Sequence, residues 1–339
     1  MSNKIPGWSY LLIAITVFAT SSSIGSKLAA IGMQNPIDGR NPISFCNVLF
    51  VGNIFALIVL AIVYGKEWNA SSLTHLSVLN WLILIAIAIL AGAIAPSLTF
   101  FALERTSASN VVLLSRIQSP LTFAFLSLML GKKTNWWMFA GELISVLGII
   151  SILILQTPDE SAISIEMIGL KIGAGELLAL AGAIIITIAN VTRKVRLDQI
   201  PLGVFTIFRT VVGTIVFYVL VVKLYTIAHF ADVFAPIVWQ WVSIYGIVIV
   251  AGGQIVWFKG LKTSNFSLIS YAGYLIPIVG ILAAYLIVGE IPTTAQYVGG
   301  GIILLGAAFN QIGIWRLRQK SSVDQNKSNM EHLIGFKGI

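Results

Sequence analysis

Residues Leu103 to Gly141 read LERTSASNVVLLSRIQSPLTFAFLSLMLGKKTNWWMFAG. A polar turn opens the stretch, a long apolar run follows, and Pro120 sits inside that run. A Gly131-Lys132-Lys133 turn then leads into a second apolar run, and one charge, Arg116, is stranded in the first. Near the C-terminus the pattern returns from Leu261 to Gly299 as LKTSNFSLISYAGYLIPIVGILAAYLIVGEIPTTAQYVG. Thr106-Ser107 answers to Thr263-Ser264, and Pro120 to Pro277, at one constant offset. Gly131, Gly141 and Gly148 answer to Gly289, Gly299 and Gly306 after a one-residue insertion. Prolines and glycines held at matched spacing mark an internal repeat, the feature to settle before any local structure.

Composition says what kind of repeat this is. Of 339 residues, 57% are hydrophobic and 10% charged, where a soluble domain carries about 25% charged residues. The mean hydropathy is +0.92. The apolar runs are about 20 residues long, enough to cross about 30 Å of hydrocarbon as helix. They are continuous rather than alternating, which excludes a β-barrel. Ten spans are expected, roughly 10–32, 43–64, 80–103, 108–130, 137–156, 173–192, 201–223, 238–258, 266–288 and 295–314. An acidic link around 156–171 separates two halves, 8–156 and 172–315, and a polar tail, 316–339, is expected to be mobile or interfacial. No cleavage site leads into a soluble domain, so the first span reads as uncleaved.

Loop charges set the topology. With the N-terminus inside, 14 lysines and arginines fall on the cytoplasmic side, nine in loops and five in the tail. Only Arg40, Arg105, Lys171 and Lys223 fall outside. That bias predicts both termini in the cytoplasm, in a plasma or inner membrane, and explains the net charge of +8 without nucleic acid. Five spans per half is odd, so the second copy crosses upside down. Such inverted repeats place a substrate site near the midplane between the halves.

Further residues carry a family likeness. They are Phe101-Ala102-Leu103 with Thr106-Ser107-Ala108-Ser109, then Ser119-Pro120, Gly131 and Gly141. In the second half they are Gly260-Leu261, Thr263-Ser264, Pro277, Gly289-Glu290 and Gly299. Ser22, Ser23, Lys27 and Arg209 also fit. On these residues the chain resembles the drug/metabolite transporter superfamily, EamA-like ten-span type, from about Leu11 to Gln311. The resemblance implies an all-α membrane protein, with ten transmembrane helices forming two inverted five-helix repeats around a central cavity. It leaves the substrate open. The chain departs from the pattern at Gly131-Lys132, at Phe50 where the second half has Arg209, and at Arg116.

A charge at bilayer depth is expensive and faces a cavity or a partner. Arg116 lies roughly 12 Å from the outer edge of span four, and Arg209 about as far from the inner edge of span seven. Each either presents a planar guanidinium to a substrate carboxylate or phosphate, or forms a structural ion pair, chiefly with Glu142. Glu142 is alternatively a proton-coupling carboxylate. Helical spacing places Arg116 with Ser119 and Pro120, and Gln118 with Ser115 and Thr122. Ser22, Ser23, Gln118, Ser119, Tyr271, Tyr274, Gln254 and Trp257 complete the candidate substrate site, with packing or an interfacial belt as the alternative. Pro120 and Pro277 are candidate hinges. Lys27 reads as an interface anchor, and Glu176 as a cap on span six.

No His/Asp/Glu cluster or nucleotide motif is present, and the single Cys46 excludes an internal disulfide. No catalytic residue, metal or cofactor is therefore expected. The leading reading is a secondary transporter, monomeric or homodimeric, that exports a small metabolite such as an amino acid, bearing a carboxylate or phosphate. Its rivals are uptake or exchange of a sugar phosphate or organic anion and, in a different class, a membrane enzyme or sensor.

Overall fold

The computed structural model describes residues 6–68, 77–130, 135–155, 164–167, 170–225, 227–263 and 266–334. Helix α1 is Gly7–Gln34 and α2 is Phe45–Tyr64. Then come α3, Val78–Leu103, α4 over 108–130 and α5, Trp136–Leu155. The second half holds α6, Ala174–Arg196, and α7, Leu202–Tyr225. It continues with α8 over 236–263 and α9 over 266–288, and ends with α10, Thr294–Ile334. Three helix starts share the pattern Ser-x-x-Asn. Ser44, Ser77 and Ser107 each accept from the N–H three residues on, at Asn47, Asn80 and Asn110, a cap worth about 1 kcal/mol.

The chain is a multi-pass membrane protein whose described residues are mostly helical, with one two-stranded hairpin among them. Among the described residues eight helices are long and apolar enough to cross a membrane: α1, α2, α3, α5, α6, α7, α8 and α10. Ile62 and Leu128, 78% and 83% exposed, show the apolar exterior that lipid permits and water would not.

The expected α4 does not run as one uniform helix. A 3₁₀ turn, Ser115–Ile117, splits it into Ala108–Leu114 and Gln118–Leu130. Pro120 lacks an N–H and its ring crowds the carbonyl four residues back, which is Arg116. In α9, Pro277 lies inside the helix and Ala284–Val288 is π-helical. Two more π segments occur, Leu90–Ile94 in α3 and Tyr245–Gly252 in α8. The acidic link holds a hairpin rather than a featureless linker: β1, Ser164–Met167, pairs antiparallel with β2, Leu170–Gly173, setting Glu166 opposite Lys171. The polar tail starts as a continuation of the last helix. Helix α10 continues to Ile334, because no Gly or Pro stands between Gly313 and Gly335 to stop it.

Helix contacts join the two halves. α1 packs on α8 and α9, and α6 packs on α3 and α4; α2 meets α8, and α7 meets α3; α2 also lies against α7, and α5 against α10. Two apolar clusters repeat this exchange. Leu28, Val48 and Val51 pack with Val238, Val242 and Ile249. Leu84 and Ile87 pack with Ala189, Val204 and Phe205.

Glycines set the closest approaches. A Cβ at Gly141 would lie 2.6 Å from the Gly306 carbonyl oxygen, and one at Gly148 would lie 2.8 Å from that of Gly299. In the π segments, Gly92 abuts Gly213 and Gly246 abuts Gly52, each within 3.0 Å of a partner Cα. Backbone on backbone leaves no flexible atom to yield. Gly148→Ala is therefore expected to cost about 1–3 kcal/mol, read as a lower midpoint in thermal unfolding of the detergent-solubilised protein. An unchanged midpoint would mean that α5 and α10 separate freely.

Candidate functional site

The polar residues stranded in the spans collect around two cavities. The first, of about 530 Å³, lies where α6 ends and α7 begins. Arg209 from α7, Gln254 and Trp257 from α8, and Arg193 and Lys194 from α6 line it. The Arg209 Nη2 donates to Gln254 Oε1 at 3.2 Å. Arg193 is near enough to repel Arg209, and its guanidinium lies over the Phe205 ring, 5.0 Å from the centroid. Asp198, in the turn after α6, is the acid that Arg193 feels. Two guanidiniums and an ammonium thus share one small cavity, an arrangement that an anion relieves.

The second cavity, of about 430 Å³, is lined by Ser21 and Ser22 of α1 and by Ser115, Arg116 and Gln118 of α4. Helical spacing alone would separate Arg116 and Gln118 onto different faces. The 3₁₀ turn corrects this: at three residues per turn, Ser115 and Gln118 eclipse, with Arg116 beside them. Ser21 Oγ donates to the Phe18 carbonyl at 2.7 Å and Ser115 Oγ to the Val111 carbonyl at 2.6 Å. Their protons are spent on the backbone, so these two serines offer only lone pairs.

Some expected site residues fall elsewhere. Ser119 donates to both carboxylate oxygens of Glu142, at 3.0 and 3.1 Å, and Asn310 of α10 donates to the same group. Glu142 is buried there, 6% exposed, among neutral partners. The anticipated Arg209–Glu142 ion pair is replaced by Arg209–Gln254 and by Glu142–Ser119–Asn310. Thr122 lines the first cavity rather than joining Gln118. Ser23 is fully buried, and among the described residues its hydroxyl has no hydrogen-bond partner. The Tyr271 and Tyr274 side chains lie outside the described residues. Lys27 is exposed near the end of α1.

Arg193 and Lys194 were missed as wall residues. They follow an apolar run expected to end at 192, where a charge reads as a loop, yet α6 continues to Arg196. The usable signal is helical spacing, since Asn190 and Arg193 stand three apart and both line the cavity. Phe18 was missed too, because an aromatic in a span looks like any packing residue.

A polar network joins the N-terminal ends of α4, α6 and α10. Glu176 lies in the first turn of α6, three residues after the N-cap Gly173, where its carboxylate suits the helix N-terminus. Its side chain also reaches α4, accepting from Thr106 and from Asn110 Nδ2, the latter at 3.2 Å. Gln296 of α10 donates to Asn110 Oδ1 at 2.7 Å and to Ser107 Oγ at 3.1 Å. Gly289, at φ 80°, ends α9 and turns the chain so that Glu290 accepts from the N–H groups of Ala108 and Ser109 at 2.8 and 3.1 Å. That carboxylate at a helix N-terminus is favourable. In the same region burial pushes the Glu104 carboxyl above its ordinary range, with the adjacent Arg105 opposing.

A protein-family model described as the EamA-like transporter family matches residues 6–154 and again 173–311. An uncharacterised transporter of Synechocystis sp. is 38% identical over 333 residues, covering 97% of this chain and 95% of the relative. A solved structure titled only as a crystal structure of a protein is similar with a TM-score of 0.56 at 19% identity, covering 90% of this chain and 98% of that one. At that identity the likeness concerns the fold.

Proposed function

This chain belongs to the EamA-like transporter family, and we propose that it exports a small organic anion, bearing a carboxylate or phosphate, by alternating access. The observation that carries the reading is the cationic cavity in which Arg209, held by Gln254, faces Arg193 and Lys194. Amino acids remain within the class only through their carboxylate. Three cations around one cavity suit a solute with more than one negative oxygen. Family membership accords with a role other than an enzyme.

The reading takes the ten helices as ten crossings, arranged as two inverted halves, 8–156 and 172–315, with 316–339 as a cytoplasmic tail. One support is that the same family model matches two successive stretches. A second is the contact pattern. Exchanging α1–α5 with α6–α10 maps α1–α8 onto α6–α3, α1–α9 onto α6–α4 and α2–α8 onto α7–α3. Gly141, the repeat mate of Gly299, meets Gly306, while Gly299 meets Gly148, the mate of Gly306. That reciprocity is what a two-fold relation produces.

In this reading both termini lie in the cytoplasm of an inner membrane, an orientation that the charge bias supports, with the Arg209 cavity facing in and the Glu176–Asn110–Gln296 network closing the outside. An inward cavity that gathers cations is a loading site for an exporter. Breaks beside Pro120 and Pro277 serve as hinges. Glu142 is the candidate for proton coupling. The unit works as a monomer or a homodimer.

Purified protein in liposomes tests this with labelled carboxylates, phosphates and zwitterions in counterflow. Anion exchange is expected, and Arg116→Ala should abolish it while leaving elution in detergent unchanged. Exchange confined to neutral solutes would overturn the anionic reading, and exchange unaffected by R116A would return Arg116 to a structural role.

A further inference from the structure

Among the described residues, Phe18 is the one that the walls of the two cavities share. Below it stand Arg209 and Gln254; above it stand Ser22, Arg116 and Gln118. Two residues of α8 hold its ring. Trp257 meets it edge-on, with centroids 6.1 Å apart and an interplanar angle of 70°. Gly253 approaches so closely that a Cβ there would lie 3.0 Å from the ring. Its carbonyl takes the Ser21 proton, which leaves Ser21 with no proton for a passing solute.

We propose that Phe18 is the partition of the transport path, an apolar ring that divides it into two arginine stations and decides which solutes pass between them. The proposal rests on the transporter reading but not on which solute is carried. An anion leaving Arg209 for Arg116 must pass the edge of an aromatic ring, which cannot replace its hydration. Crossing is therefore favourable only when the ring moves aside or when the solute reaches both stations at once. Short solutes then wait at the lower station, and Phe18 sets the size selected. Both contacts come from α8, so the ring opens the path only by moving away from that helix. A residue serving only to pack a helix contact would not stand between two cavities.

Thiol accessibility tests this without knowledge of the natural solute. Cys46 is the chain's single cysteine and is fully buried, so a C46S background is clean. S22C reports the upper station and N190C the lower. Both are labelled in detergent with 2-sulfonatoethyl methanethiosulfonate, an organic anion. N190C is expected to react at the same rate with Phe18 present or replaced. S22C is expected to react slowly with Phe18 present and about tenfold faster in F18A, because the rate follows the fraction of time the path is open. F18W should keep S22C slow, and it covers the case in which F18A folds poorly. Equal S22C rates with Phe18 and in F18A, whether both fast or both slow, would overturn the partition. Methyl methanethiosulfonate, uncharged, runs in parallel. If it alone modifies N190C, the anionic reading of the lower cavity fails while the partition still stands or falls on S22C.

Discussion

Arg209→Ala should cut anion counterflow on the order of a hundredfold, corresponding to about 3 kcal/mol for a charge-assisted contact in a water-poor cavity. The substitution removes the guanidinium from the centre of the cationic cavity and takes the donor from Gln254. Arg193 and Lys194 remain and still attract the solute, so the loss should appear as a raised half-saturation concentration as well as a lower maximal rate. Arg209→Lys keeps the charge but loses the planar fork and should recover only part of the flux. Arg40→Ala is the control. Arg40 pairs with the buried Asp232 at 3.3 Å in a loop and lines neither cavity, so its loss should leave the transport kinetics unchanged. Wild-type kinetics in R209A would return Arg209 to a structural role.

Glu142→Ala is expected to be the most destabilising single change in the polar interior. It leaves Ser119 and Asn310 without their acceptor at a buried junction of α4, α5 and α10. Orphaned buried donors cost about 1–3 kcal/mol each, so the thermal midpoint in detergent should fall clearly. Glu142→Gln keeps the shape and one acceptor and should largely hold the midpoint. The pair also addresses coupling. If Glu142 carries the transported proton, E142Q retains counterflow but no longer responds to an imposed pH gradient. A full response in E142Q would remove Glu142 from coupling and leave it as the clasp that holds α4 to α5 and α10. Equal midpoints for E142A and wild type would remove the clasp.

Much of the fold was legible. The apolar runs located the eight described helices long and apolar enough to cross a membrane, because about 20 residues without charge have few stable alternatives to a buried helix. Matched prolines and glycines exposed the repeat, and the glycines proved to be contact points. Three features were not legible. The π segments in α3, α8 and α9 change the hydrogen-bond register without changing hydropathy. The 3₁₀ turn before Pro120 re-aims Gln118, and a uniform helical wheel cannot represent that. The length of α6 was underestimated because hydropathy ends where charge begins, whereas a helix ends where its backbone bonds end.

The site divides in the same way. Arg116 and Arg209 stood out from the sequence alone, since a charge in a span is costly enough to need a reason. So did Gln254 and Trp257, as the polar and aromatic residues nearest the inner end of their span. The pairings could not be read, because partners far apart along the chain meet only when helices pack. Arg209 found Gln254 rather than Glu142, and Glu142 found Ser119 and Asn310. Arg193 and Lys194 became cavity walls only because α6 runs on to Arg196.

By itself, the sequence determined that this is a membrane protein with an internal repeat and two stranded arginines. Those properties follow from hydrophobic length and local spacing, which one chain carries without knowing its neighbours. Only the tertiary structure decided that the arginines lie in two cavities, and that Phe18 stands between them. Which side chains share a space depends on how helices from the two halves cross.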